Sequence, residues 1–280
     1  MLLTGYQDFD GVAQAAPLAD LGKFLGPISL PALPFSISLP ALSLLLVFRT
    51  NTAYFRWNEA RTLWGGIINS CRNVVRQANT YFPDDERNNE LKARISVNTA
   101  LYSKALRNFL RGPSNDDVLR GDLQEAVDKG LVSQEQADAC MKAANRPMFQ
   151  LSAMSAILRE ADVNPIDRSR IDASITTLVD LTGANERIFK SPIPLVYTRH
   201  TARFISIFTI LLPFALWPVF GSTWNHWVTV PATDLVAFFL FGIEEIGIQI
   251  EEPFSILPLE AFCNGAITST MDEMVNCQEN

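Results

Sequence analysis

The sequence predicts an all-α fold: a multi-pass membrane protein carrying a helical extramembrane domain. Three observations point there. Of 23 basic and 30 acidic side chains, residues 204–243 hold only Asp234, while residues 49–203 hold most of the rest. Residues 28–48, 204–220 and 227–243 are long apolar runs, the first two uncharged and the third broken only by Asp234. Elsewhere apolar residues recur every three to four positions and nowhere alternate for long, the period of helices rather than strands. A 48% hydrophobic content excludes a disordered chain. A pI near 5.0, with bases interleaved among acids, excludes a nucleic-acid binder. The net charge of −7 hides a split, because every Lys and Arg except Lys23 lies between Arg49 and Arg203.

Residues 1–27 carry neither the basic, apolar pattern of a secretory signal nor the Arg and Ser of a transit peptide. They read as a loop or the remnant of a first membrane segment, as in a chain shortened at its N-terminus. In residues 28–82, Pro31, Pro34 and Pro40 predict a loop or broken helix that becomes regular after Pro40. From there apolar positions such as Trp64, Ile67, Ile68, Val74 and Val75 predict one helix of about 40 residues, roughly 60 Å long. Arg49, Arg56 and Arg61 fall just past its apolar half, where a helix leaves a bilayer.

Residues 83–203 predict a helical aqueous domain, with helices near 85–112, 115–130, 133–144, 149–161 and 168–181. Ser133 with Glu135 and Gln136 marks one helix start. Arg146-Pro147 reads as a break. Residues 204–243 predict a membrane hairpin anchored by Arg203 and by Trp217, Trp224 and Trp227. Asp234 is costly in lipid unless it faces the bundle or the interface, and no role is assigned to it.

Residues 244–280 form a C-terminal helix and acidic tail. Glu244, Glu245, Glu251 and Glu252 are spaced to share one helical face. Such a face could hold a divalent metal or pair with Arg56, Arg61 and Arg203, and pairing is the expectation. His200 is expected at that junction rather than as a metal ligand, and His226 sits in the hairpin turn. Cys71, Cys140, Cys263 and Cys277 lack CxxC or zinc spacing, so they are expected to be free thiols, with no metal and no cofactor.

Three segments together resemble the bestrophin family of anion channels, in particular its plant and algal thylakoid branch. They are LLLVFRTNTAYFRWNEARTLWGG at 44–66, GANERIFKSPIPLVYTRHTARF at 183–204, and FGIEEIGIQIEEPFSILPLEAFC at 241–263. The resemblance implies a homopentamer in a lipid bilayer around one central pore, with four membrane segments per subunit and a helical domain on the cytosolic or stromal side. It places an apolar neck on Leu44 and Phe48, with a third position one turn earlier on Pro40, a departure from the family. Arg49 and Asn51 would then lie at the inner mouth and attract anions. Chloride or bicarbonate is the implied permeant ion, the thylakoid membrane of the chloroplast the implied location, and no enzymatic activity is expected.

Two further departures concern the ends. Animal members follow the Pro-Phe pair with an acidic run that coordinates calcium, whereas here Pro253-Phe254 is followed by Ser-Ile-Leu-Pro-Leu-Glu, leaving only Glu260. One carboxylate is a poor calcium cage, so no high-affinity calcium gating is expected. The family's first membrane helix is missing or eroded in residues 1–27. Competing readings are a membrane-bound metalloenzyme using Glu244, Glu245, Glu251 and Glu252 with His200, and a non-conducting membrane scaffold. The metalloenzyme lacks HExxH, paired ExxH and nucleophile motifs.

Overall fold

The computed structural model describes residues 29–221 and 227–276, and among them there is no strand. Residues 1–27, Trp224, His226 and Cys277 lie outside the described residues, and with them the expectations made for those positions. The helices are α1 Leu33–Tyr81, α2 Glu86–Arg111, α3 Asp116–Asp128, α4 Gln134–Lys142, α5 Arg146–Glu160 and α6 Pro165–Lys190. They continue with α7 Leu195–Leu216, α8 Thr229–Glu251, the single turn α9 Pro253–Ile256, a π-helical stretch Ala261–Ser269, and α10 Thr270–Asn276. Among the described residues, α1 is the one helix long and apolar enough to cross a membrane by length and composition.

The 49-residue α1 corrects the expected break at the prolines, because the helix starts at Leu33 and holds Pro40 inside it. Pro34 falls in the first turn, where no intrahelical N–H is lost. Pro40 does remove a backbone donor, but Leu42 and Leu46 pack firmly just beyond it. A second correction concerns Arg146-Pro147, which begins α5 rather than interrupting the chain. Asn145 caps that helix by accepting from the Met148 N–H at 3.2 Å, and Pro147 sits in its first turn.

The chain divides into two compact units. Unit one comprises Met1–Thr52 and Ile193–Gln249. Its core is Leu42 and Leu46 of α1, Ile205, Phe208 and Leu212 of α7, and Leu240 of α8. Three contacts fix the register of α1 on α7. The Leu30 N–H donates to the Phe214 carbonyl at 3.0 Å, Phe35 meets Phe208 edge-on at 5.4 Å, and the Tyr197 hydroxyl donates to the Leu45 carbonyl at 3.3 Å. Residue numbers rise on one helix as they fall on the other, so the two run antiparallel.

Unit two comprises Ala53–Pro192 and Ile250–Asn280. The α1 positions Ala60, Trp64, Ile67, Cys71, Val74 and Ala78 form its buried stripe, at the three-to-four spacing read from the sequence. Against them pack Ile95, Tyr102 and Leu106 of α2, Leu151 and Met154 of α5, and Ile171, Ile175 and Leu178 of α6. At Gly66 of α1 a β-carbon would come within 3.2 Å of the Leu181 side chain on α6, so the absence of a side chain lets the two helices close. A second cluster, with Leu119 and Leu123 of α3 and Cys140 of α4, seals the outer helices. Caps set the boundaries: Asp85 and Ser133 accept from N–H groups three residues on, and Gly112 at φ 80° ends α2. Helix α6 extends nine residues beyond its expected end at 181.

Candidate functional site

Within unit one, α1 has two unlike faces. Leu42, Leu46 and Arg49 are buried, while Ile37, Pro40, Leu44, Phe48 and Asn51 are exposed on the other side. Leu44 and Phe48 are 54% and 56% exposed, which is unusual for side chains of that size in a helix that packs well two residues away. They are one turn apart on the same face. The Thr50 and Thr52 hydroxyls donate back to the Leu46 and Phe48 carbonyls at 2.9 and 2.8 Å. Between Ile37 and Phe48 the exposed residues are apolar apart from Ser43, and Asn51 follows them with an exposed amide.

Arg49 differs from its expected place at a mouth. It is 2% exposed and its guanidinium bonds to Glu244 Oε1 of α8, itself buried. The helix turns about 100° per residue, so Arg49 points away from the face that carries Phe48. Its charge is held by a carboxylate 195 positions away instead of being displayed. The Arg49 side chain also lies across Gly247, where a β-carbon would sit 3.6 Å from its Nε. Sequence alone does not reveal this pair, because Arg49 stands beside Phe48 and Glu244 lies 195 positions away. The spacing of Arg49, three from Leu46, seven from Leu42 and four from Ala53, puts it on the buried stripe and is the available signal.

The other acids and bases separate. Glu245 is exposed and accepts from Gln249 at 2.9 Å. Helix α8 ends at Glu251, and Glu252 precedes the Pro253 turn, so the four glutamates do not form one continuous helical face. Arg203 and His200 are exposed; Arg203 makes no ion pair among the described residues, and the His200 ring lies 6.4 Å from that of Phe204. Asp234 is exposed on α8.

In unit two, Arg56 bonds carbonyls rather than a carboxylate. Its Nε donates to Glu251 O at 3.0 Å, one Nη to Ser191 O at 2.6 Å, and the other to Ile188 O. Burial lowers the Arg56 pKa from its ordinary value, while Glu251, Glu252 and Glu59 act to raise it. Arg56 borders a cavity of about 420 Å³ shared with Arg111, Phe189, Glu251, Glu252 and Phe254. Arg61 stacks over the Phe262 ring at 4.8 Å instead of pairing with the glutamates.

Glu260, the one acid following the Pro-Phe pair, is bonded by Arg111, which also donates to the Leu257 carbonyl at 3.3 Å. A carboxylate engaged by a guanidinium is a weakened cation ligand. Among the described residues no group of three or more His, Cys, Asp or Glu is placed to hold a metal ion. Cys71, Cys140 and Cys263 are free and buried, and burial raises the thiol pKa of each, Cys263 to about 11. Such thiols are poor nucleophiles.

Comparisons with known proteins agree along the chain. Residues 13–272 match the family described as Bacterial/Fungal Bestrophin protein. The chain is 33% identical over 265 residues to a voltage-dependent anion channel-forming protein of Nostoc sp., covering 91% of this chain and 81% of that one. It is 32% identical over 249 residues to the chloroplastic voltage-dependent chloride channel 1 of Arabidopsis thaliana, covering 89% of this chain. The chain spans only 57% of that plant protein's length. Among solved structures, a bestrophin homolog from Klebsiella pneumoniae superposes with a TM-score of 0.79 at 26% identity, covering 91% of each chain.

Proposed function

The chain belongs to the bestrophin family, and we propose that five copies assemble in a membrane around a pore that passes chloride or bicarbonate down its gradient. The observation that carries this reading is the apolar stripe of Leu44 and Phe48, left exposed on the face of α1 opposite its packed side. Repeated in five subunits, the stripe makes a constriction without ion-binding groups. A narrow apolar ring expels water and blocks ions, and a slightly wider one passes a weakly hydrated anion. The partly positive edge of the Phe48 ring favours anions over cations. Pro40 supplies the outermost turn, and Asn51 offers an amide donor just below the ring.

The membrane portion comprises the apolar half of α1 with α7 and α8 as a hairpin. Ile207 and Ile210 of α7 and Phe238 and Phe239 of α8 are exposed and suit lipid or a neighbouring copy. Relatives named as chloroplastic channels support a thylakoid location. The protein acts as a channel and not an enzyme. Calcium does not gate it, since Glu260 is engaged by Arg111. The test is reconstitution of the full chain in planar bilayers without added metal. Anion current, with selectivity read from reversal potentials in chloride and bicarbonate, supports the reading; an assembled protein that carries no current overturns it.

A further inference from the structure

The feature of unit one that the conduction scheme leaves unused is the buried Arg49–Glu244 pair. It lies one residue beyond Phe48, and its two members come from helices distant in sequence. An ion pair this buried is a weak source of stability, because desolvation of both charges opposes their attraction. What it does supply is direction: a guanidinium bonded to a fixed carboxylate tolerates little rotation of the helix that carries it. Hydrophobic contacts beside it, such as Leu46 on Ile205, slide more readily because they have no preferred angle.

We propose that Arg49 and Glu244 are positioning residues for the neck. The pair ties α1 to α8 and sets the rotation of α1, so that Leu46 faces the packed interior while Leu44 and Phe48 face away. Leu46 is 3% exposed, and a rotation of α1 by one residue's angle would exchange its environment with that of its exposed neighbours. Gly247 is part of the device. The Arg49 side chain crosses α8 at that residue, where a single β-carbon would be in ordinary contact and a larger side chain would lift the arginine away. This inference rests on the channel reading for its consequence in conduction, but the orientation of α1 can be measured without any current.

The experiment combines thiol labelling with chloride flux, on the full chain in liposomes. A cysteine is placed at Leu46 or at Phe48 in a background with Cys71, Cys140, Cys263 and Cys277 replaced by serine or alanine, and a water-soluble maleimide reads exposure. With the pair intact, Phe48→Cys labels and Leu46→Cys is protected. Glu244→Gln is expected to raise labelling at Leu46→Cys about tenfold and to lower chloride flux through the neck. The swap Arg49→Glu with Glu244→Arg is expected to restore both protection and flux to within about threefold. Unchanged labelling in Glu244→Gln overturns the proposal. So does a swap that restores protection but not flux, since Arg49 would then act on the anion through its sign of charge.

If Glu244→Gln does not fold, the glycine supplies a charge-neutral pair of variants. Gly247→Ala is expected to leave Leu46→Cys protected and Gly247→Leu to expose it, while equal labelling in the two would overturn the tie. Labelling that follows these expectations in a protein that carries no chloride, even unmutated, sinks the channel reading and leaves the tie standing.

Discussion

The two units use the same kinds of residue in opposite ways. Unit two buries Trp64, Tyr102 and Leu106 and displays most of its ion pairs, such as Arg120 with Asp117 and Lys129 with Glu125, on its surface. Unit one exposes Leu44, Phe48, Phe238 and Phe239 and buries a charge pair, Arg49 with Glu244. A surface of large apolar side chains around a buried ion pair is what the chain would present to lipid and to further copies of itself. A charged surface around a continuous apolar core is what water selects. The difference supports the proposed placement of unit one in lipid and unit two in water where hydropathy is less clear, since α7 and α8 carry enough charge to dilute their apolar runs.

The largest expected effect comes from testing that contrast with two aromatic truncations. Trp64→Ala removes a fully buried side chain that also faces Phe262, and should cost unit two about 3–5 kcal/mol in chemical unfolding. Phe238→Ala, at a side chain 73% exposed, should cost detergent-solubilised protein less than about 0.5 kcal/mol. Equal losses would erase the distinction between the units. A smaller effect is expected at Gly66, where Gly66→Val should push Leu181 off α1 and cost about 1–3 kcal/mol, measured by the same unfolding curve.

Next comes a polar junction of unit two. Asp116 is bonded by Arg146 and Asn108, which hold its carboxyl down at about 2. Because that value lies below the unfolded one, near 4, the stabilisation is complete above about pH 4 and is lost as pH falls through about 2. Arg146→Met should cost about 1–2 kcal/mol at neutral pH and flatten the loss of stability between pH 4 and 2, as read from melting temperatures across that range. The smallest effect is an absence of response: channel current should not change between micromolar and millimolar calcium. Steep activation in the micromolar range would require a cage that Glu260, held by Arg111, does not provide.

Much of this architecture is legible in the sequence because it is written locally. The stripe from Ala60 to Ala78 follows helical spacing, and Ser133 and Asp85 announce helix starts by residue type. Pro147 was legible too, since Asn145 before it is a cap, but an Arg-Pro pair read alone suggests a stop. Pro40 was not legible: its local cost is real, and only packing of Leu42 and Leu46 against Ile205 and Phe208 offsets it. At the candidate site, the sequence places Leu44 and Phe48 on one helical turn, and the structure adds that this face is uncovered. The partner of Arg49 could not be read, because nothing local distinguishes Glu244 from Glu245. Burial separates them, and burial is a tertiary property.

The central claim is that Leu44 and Phe48 line an anion pathway, and single-channel recording of the reconstituted full chain tests it most directly. Leu44→Trp and Phe48→Glu, with assembly verified by gel filtration, should each reduce chloride current at least tenfold, the first by filling the ring and the second by charging it. Current indistinguishable from the unmutated protein in both variants would contradict the account.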